Sequence, residues 1–266
     1  MANIPIILFI VEGEKRDYRF IEEMCNCFFK GKYKANIINL PAKQNIYMLY
    51  QKLKADDFDT DIVELLRDES GEAKKILEGV NRQKISQVFL FFDYDVHQDN
   101  ISKINNIESN NLLHEMLNFF DNETEQGKLY ISYPMVEALY DYKENMCEAF
   151  SSCFIHINNS GDYKTISSLN NPRASYHFKI KEWEEILKIF PLKIKCLFNI
   201  TKIDLEYYRK NITPLSIFEI QEKYKKEQER IFILSAFPEF LFDYFKSDFW
   251  NSKTSLTKFK FNNCLK

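Results

Sequence analysis

Two short stretches place acids where an apolar run breaks off. Residues 89–95 read Phe-Leu-Phe-Phe-Asp-Tyr-Asp, and residues 6–13 read Ile-Ile-Leu-Phe-Ile-Val-Glu-Gly. In the first, Asp93 and Asp95 stand one residue apart. In the second, Glu12 is followed at once by Gly13. A carboxylate pair at the end of an apolar run suits three roles. It can end a strand in an Asx turn facing water. It can catch a phosphoryl group, one acid as nucleophile and the other as acid/base. It can also hold a hard divalent cation, since Mg2+ is bound through a few carboxylates and keeps several waters.

The elements around these acids follow from periodicity. Ile6–Val11 is a continuous, β-branched apolar run, the pattern of a strand buried on both faces of a parallel sheet. Phe20, Ile21, Met24, Cys25 and Phe28 fall on one face of the helix that follows. The alternation then repeats. Residues 36–40 read as a strand stopped by Pro41. Ile46, Leu49, Tyr50 and Leu53 make a helical face, and helical pieces at 62–66 and 73–80 divide near Gly71. Residues 88–92 read as a strand, 104–120 as a helix, 129–133 as a strand and 136–150 as a helix after Pro134. Strands alternating with helices give an α/β fold with a parallel sheet, in which functional groups gather beyond the strands' carboxyl ends. Glu12 and Asp93 both lie there. The Asn/Ser-rich stretch 156–171 reads as a loop. From Lys181 onward helical patterns dominate, punctuated by Pro191, Pro214 and Pro238.

Composition narrows the field. With 45% hydrophobic residues in 266, the chain has ample material for a core. No apolar run is long enough to span a membrane and no basic leader precedes the first one, so a cytoplasmic protein is expected. The six cysteines form no CxxC pair and read as reduced thiols. Charge divides unevenly. Residues 1–150 carry 17 Lys/Arg against 26 Asp/Glu, and residues 151–266 carry 19 against 13. A basic half can hold a polyanion and deliver it to an acidic, metal-loaded half. Equally, the two halves can simply attract each other.

Two family resemblances attach to these motifs. "FFDYDV" resembles the strand-end motif of haloacid-dehalogenase-type phosphatases, but no later adjacent acidic pair completes that pattern. "IILFIVEGEK" and "FLFFDYD", taken in order, resemble the Toprim domain of topoisomerases, primases and related nucleases: one strand ending in Glu-Gly, another in Asp-x-Asp. The 81 residues from Glu12 to Asp93 imply a helical insertion near 54–84. "VEGEKRDYRFIEEM" is most similar to enlarged Toprim domains of anti-phage proteins: the overcoming-lysogenization-defect nucleases, RloB-like proteins and the Toprim subunit of PARIS. The resemblance implies a Rossmann-like parallel sheet flanked by helices over residues 1–150, and the helical patterns beyond it place a mostly helical region over 151–266.

It also implies an activity, metal-dependent cleavage of DNA or RNA, tRNA included, in abortive infection. Asp93 and Asp95 would be ligands of Mg2+ or Mn2+. Glu12 would be a third ligand or a general acid/base. Gly13 would let the backbone turn tightly beside the phosphate, and Lys15 would touch it. Glu14 and Asp17 are auxiliary acids, and Glu137 stands where relatives carry a further catalytic acid; otherwise it complements a helix dipole. A partner ATPase of the ABC or AAA type is implied and a homodimer is compatible. The alternative is a catalytically silent Toprim-like binding module, with the phosphatase third.

Two basic stretches follow residue 151. Lys223, Lys225 and Lys226, with interspersed glutamates, read as an ordinary solvated helix face. In the tail, Lys258 and Lys260 alternate with Phe259 and Phe261, a pattern that suits single-stranded nucleic acid or a short edge strand. The run "FILSAFPEFLFDYF" is too apolar to stay exposed.

Overall fold

The computed structural model describes residues 4–13, 15–40, 45–94, 109–143, 153–169, 171–175 and 177–245. They divide into two compact units. The first runs to Phe92 and takes in Glu115–Leu129; the second holds the described residues from Asp93 to His114 and from Tyr130 onward.

The first unit carries most of a five-stranded, mostly parallel sheet of order β2-β1-β3-β5-β4, so the α/β, Rossmann-like expectation holds. β1 (Ile6–Val11) lies between parallel neighbours, β2 (Lys34–Asn39) and β3 (Ile85–Asp93). With a strand on either side and helices over the sheet, every β1 side chain is buried, hence the unbroken apolar run. β4 (Asp121–Asn122) and β5 (Gly127–Ser132) form an antiparallel hairpin. Its turn needs Gly127, whose φ is +105° and whose missing Cβ would meet Leu90 Cδ1 at 2.6 Å.

Helix α1 (Arg16–Phe28) buries Phe20, Ile21, Met24 and Phe28, as the spacing predicts. α2 (Ile46–Ala55) buries Ile46, Leu49, Tyr50 and Leu53, and Asn45 caps it by accepting from the Met48 amide at 3.0 Å. α3 (Ile62–Glu69) and α4 (Gly71–Ile76) divide at Ser70, which ends one and caps the other through the Ala73 amide. α5 (Ser109–Phe119) precedes β4.

In the second unit three expectations are corrected. Residues 136–143 do not begin a long helix: Val136–Tyr140 form a 3-10 turn and the chain then straightens. All five residues of the turn are buried, so no solvent face remains for a longer amphipathic helix. Residues 144–150 lie outside the described residues. The stretch 156–171 is not a plain loop. It contains the end of β6 (Phe154–His156), a 3-10 turn and α6 (Tyr163–Ser168). Its small polar residues close short turns, as when Asn171 accepts from the Arg173 amide at 3.2 Å. Pro191 does not end a helix but sits within α7 (Ile180–Leu197), whose apolar stripe of Trp183, Ile186, Leu187, Phe190 and Ile194 continues through it.

The other prolines follow their usual roles. Pro214 opens α9 (Pro214–Gln228) after α8 (Leu205–Asn211), with Thr213 as cap. Pro238 lies in the first turns of α10 (Ala236–Phe245). The apolar run from Phe232 is core, buried from Phe232 through Phe242. β7 (Arg230–Phe232) pairs antiparallel with β6. Lys193 is fully buried there, donating to the Ile233 carbonyl at 2.7 Å and lying over the Tyr142 and Phe232 rings. No described helix is long and apolar enough to cross a membrane.

Candidate active site at the carboxyl ends of β1 and β3

From β1 the chain passes through α1 to β2 on one side, then crosses by α2 to α4 to β3 on the other. β1 and β3 are therefore adjacent strands whose connections leave in opposite directions. In open α/β sheets the crevice at this reversal, beyond the carboxyl ends, is where ligands bind. Val11 is in register with Phe91, so Glu12 leaves β1 just past the pairing and Asp93 is the last residue of β3. Both are half-buried. The fold thus brings two of the expected acids to neighbouring strand ends. Two hard oxygen donors of this kind fit Mg2+, which needs few protein ligands. Among the described residues no group of three His, Cys, Asp or Glu comes together. Asp95 and Glu14 lie outside the described residues, as do Lys258 and Lys260.

Gly13 is held by a packing constraint that the sequence alone does not show. Its φ is not left-handed; the residue is glycine because of what packs on it. A Cβ at position 13 would lie 3.0 Å from Asp17 Cγ and nearer still to Oδ2. Asp17, in the first turn of α1, is buried at 7% exposure with its carboxylate against the Gly13 backbone. Lys15 is exposed at the helix start and makes no capping bond. Glu137 is buried at 2% exposure in the 3-10 turn of the second unit, not at the start of an α-helix.

Residues missed in the sequence surround Tyr94, which stands between the two aspartates. Strand alternation turns it to the opposite face from Asp93, and it is buried in the second unit. Its amide donates to the Ser132 carbonyl at 2.9 Å and its ring packs on Tyr133 at 5.1 Å. Its hydroxyl donates to Glu222 and accepts from Lys225 Nζ at 2.9 Å. Lys225 also lies over the Tyr94 ring, 5.3 Å from the centroid. Glu222 and Lys225 of α9 are therefore not part of a solvated face; they fasten the residue after Asp93. The signal was present in the period-2 pattern of Asp-Tyr-Asp, but nothing in the sequence names the partners 128 and 131 residues on.

Burial also shapes the nearby thiol. Burial first, then Cys27 and Glu22, push the Cys25 thiol far up, so it stays protonated at neutral pH. Compared with described protein families, curated proteins and solved structures, the chain matches none.

Proposed function

We propose that the chain is a Toprim-type, metal-dependent nuclease that hydrolyses phosphodiesters of DNA or RNA with Mg2+ or Mn2+, working with a partner ATPase in anti-phage defence. The observation carrying this reading is the arrival of Glu12 and Asp93 at the ends of adjacent parallel strands where the sheet's connections reverse. Glu-Gly on one such strand and Asp-x-Asp on the next is the Toprim arrangement. Defence and partner rest on the sequence resemblance alone.

Asp93, with Asp95 beside it in sequence, would hold the cation. When bound, the cation offsets the charge that gathers on the phosphate in the transition state. Glu12 would carry the proton to or from the attacking or leaving oxygen, from a half-buried position that still admits water. The Tyr94 anchor would keep the end of β3 fixed, which matters because small misplacements of a reacting group cost rate steeply.

The test is cleavage of labelled DNA and RNA by the purified chain in Mg2+ or Mn2+, alone and with the product of an adjacent ATPase gene. Cleavage lost on chelation and in Asp93→Asn supports the reading. Turnover of small phosphate monoesters instead would indicate a phosphatase. No turnover, with Asp93→Asn silent in cells, would indicate a binding module.

A further inference from the structure

Within the second unit a cleft of about 520 Å3 opens between one stripe of α7 and residues 201–204. What it offers a visitor is set by the side chains that reach solvent. Along α7 these are Lys188, Leu192 and Lys195, with Leu192 51% exposed. Lys202 and Ile203 come from the other wall.

Lys188, Lys195 and Lys202 form no ion pair, and neither do Arg209 and Lys210, exposed in the adjoining α8. The acid that lines the cleft, Asp204, is engaged as the cap of α8, accepting from the Tyr207 amide at 2.8 Å. The surface is therefore basic with an apolar centre, and its complement is acidic with an apolar centre.

These charges are strung out, which suits an elongated partner better than a small anion. Lys188 and Lys195 are seven residues apart, two turns and about 10 Å along the helix, with Leu192 between them on the same stripe. A partner helix repeats its own face over that span, so acids at i and i+7 with an apolar residue at i+4 meet the cations and the hollow together. An extended segment covers about 10 Å in three residues and turns the outer two to opposite sides. Single-stranded nucleic acid needs aromatic rings to stack on, whereas the solvent-reaching apolar residues here, Leu192 and Ile203, are aliphatic. Nor does the end of the chain complement the surface, since residues 246–266 carry five lysines against one aspartate.

We propose that this cleft docks an acidic amphipathic helix of a partner protein, with a large apolar side chain seated beside Leu192 and Ile203 and flanking carboxylates on Lys188 and Lys195. The site is separate from the strand-end acids and does not depend on the nuclease reading.

The probe is a fluorescein-labelled, hydrocarbon-stapled helical peptide with a Phe flanked by Glu at i−4 and i+3, titrated with the full chain and read by anisotropy. Saturation below millimolar concentration is expected, weakening as salt rises. A peptide of the same composition with that face scrambled should bind at least about tenfold more weakly. Lys188→Glu/Lys195→Glu should weaken the Glu peptide at least about tenfold and should prefer a peptide carrying Lys in place of Glu. Leu192→Asp should weaken the Glu peptide as strongly. Both variants should melt as the wild type does, since none of the three side chains is buried. The proposal is overturned if ordered and scrambled peptides bind alike, if neither saturates, if the charge-reversed pair keeps the wild-type preference, or if Leu192→Asp binds normally. It is equally overturned if these substitutions leave the peptide unaffected and instead abolish binding of a single-stranded oligonucleotide or of phosphatidylserine vesicles, or if they dissociate a homodimer in sedimentation, which would make a second copy the occupant.

Discussion

At the scale of single residues, the two acids were legible and their supports were not. Glu12 and Asp93 show in the sequence because each ends an apolar run that only a buried strand explains. The packing of Asp17 on Gly13 was not legible, because Asp17 reaches it only once α1 has formed its first turn. Gly13→Ala should therefore destabilise the fold by about 1–3 kcal/mol through overpacking. The pair Gly13→Ala/Asp17→Ala should recover part of that loss, read as non-additivity in urea unfolding. Strict additivity would mean that the carboxylate is not what excludes a Cβ. Tyr94 offers a second check. Tyr94→Phe leaves Glu222 buried without the hydroxyl that donates to it, so a loss of about 1–3 kcal/mol is expected, with no change in the unfolding slope. The proposed nuclease activity should fall with it, mainly in kcat.

At the scale of elements, the periodic segments were read well and the interrupted ones were not. β1 and α1 were legible because each has one uniform environment along its length. α7 was divided at Pro191 in the sequence, yet its buried stripe holds it together across the missing hydrogen bond. The 156–171 stretch looked like loop because its Ser and Asn residues favour turns; here those turns are short, ordered and fastened by buried Tyr163, which donates to Asp141 at 2.6 Å. Lys193 lies at this scale too, since it ties α7 to the chain just after β7. Lys193→Met keeps the volume but leaves the Ile233 carbonyl without this donor, for an expected loss of about 1–3 kcal/mol. An unchanged denaturation midpoint would show that the hydrogen bond contributes nothing.

At the scale of the molecule, the two units interleave along the chain, with Glu115–Leu129 in the first and the segments on either side in the second. Such a division leaves no composition break to read. Alkaline stability belongs here as well. Burial, followed by the Asp243 and Asp141 carboxylates, holds the Tyr130 and Tyr163 phenols well above 10. Unfolded tyrosines ionise near 10. The folded chain keeps protons that the unfolded chain releases, so this contribution is fully present below about pH 10 and is lost as pH rises toward the folded values. The urea midpoint should fall between pH 9 and 11, and fall less in Tyr163→Phe; a flat profile would contradict the assignment. The central proposal is that Asp93, the last residue of β3, holds a divalent cation. Mn2+ binding to the full chain, followed by electron paramagnetic resonance, tests it most directly. The account predicts saturable Mn2+ uptake that Mg2+ competes away, weakened at least about tenfold in Asp93→Asn and little changed in Glu12→Gln. Binding left unchanged by Asp93→Asn, or absent from the wild type, would contradict it.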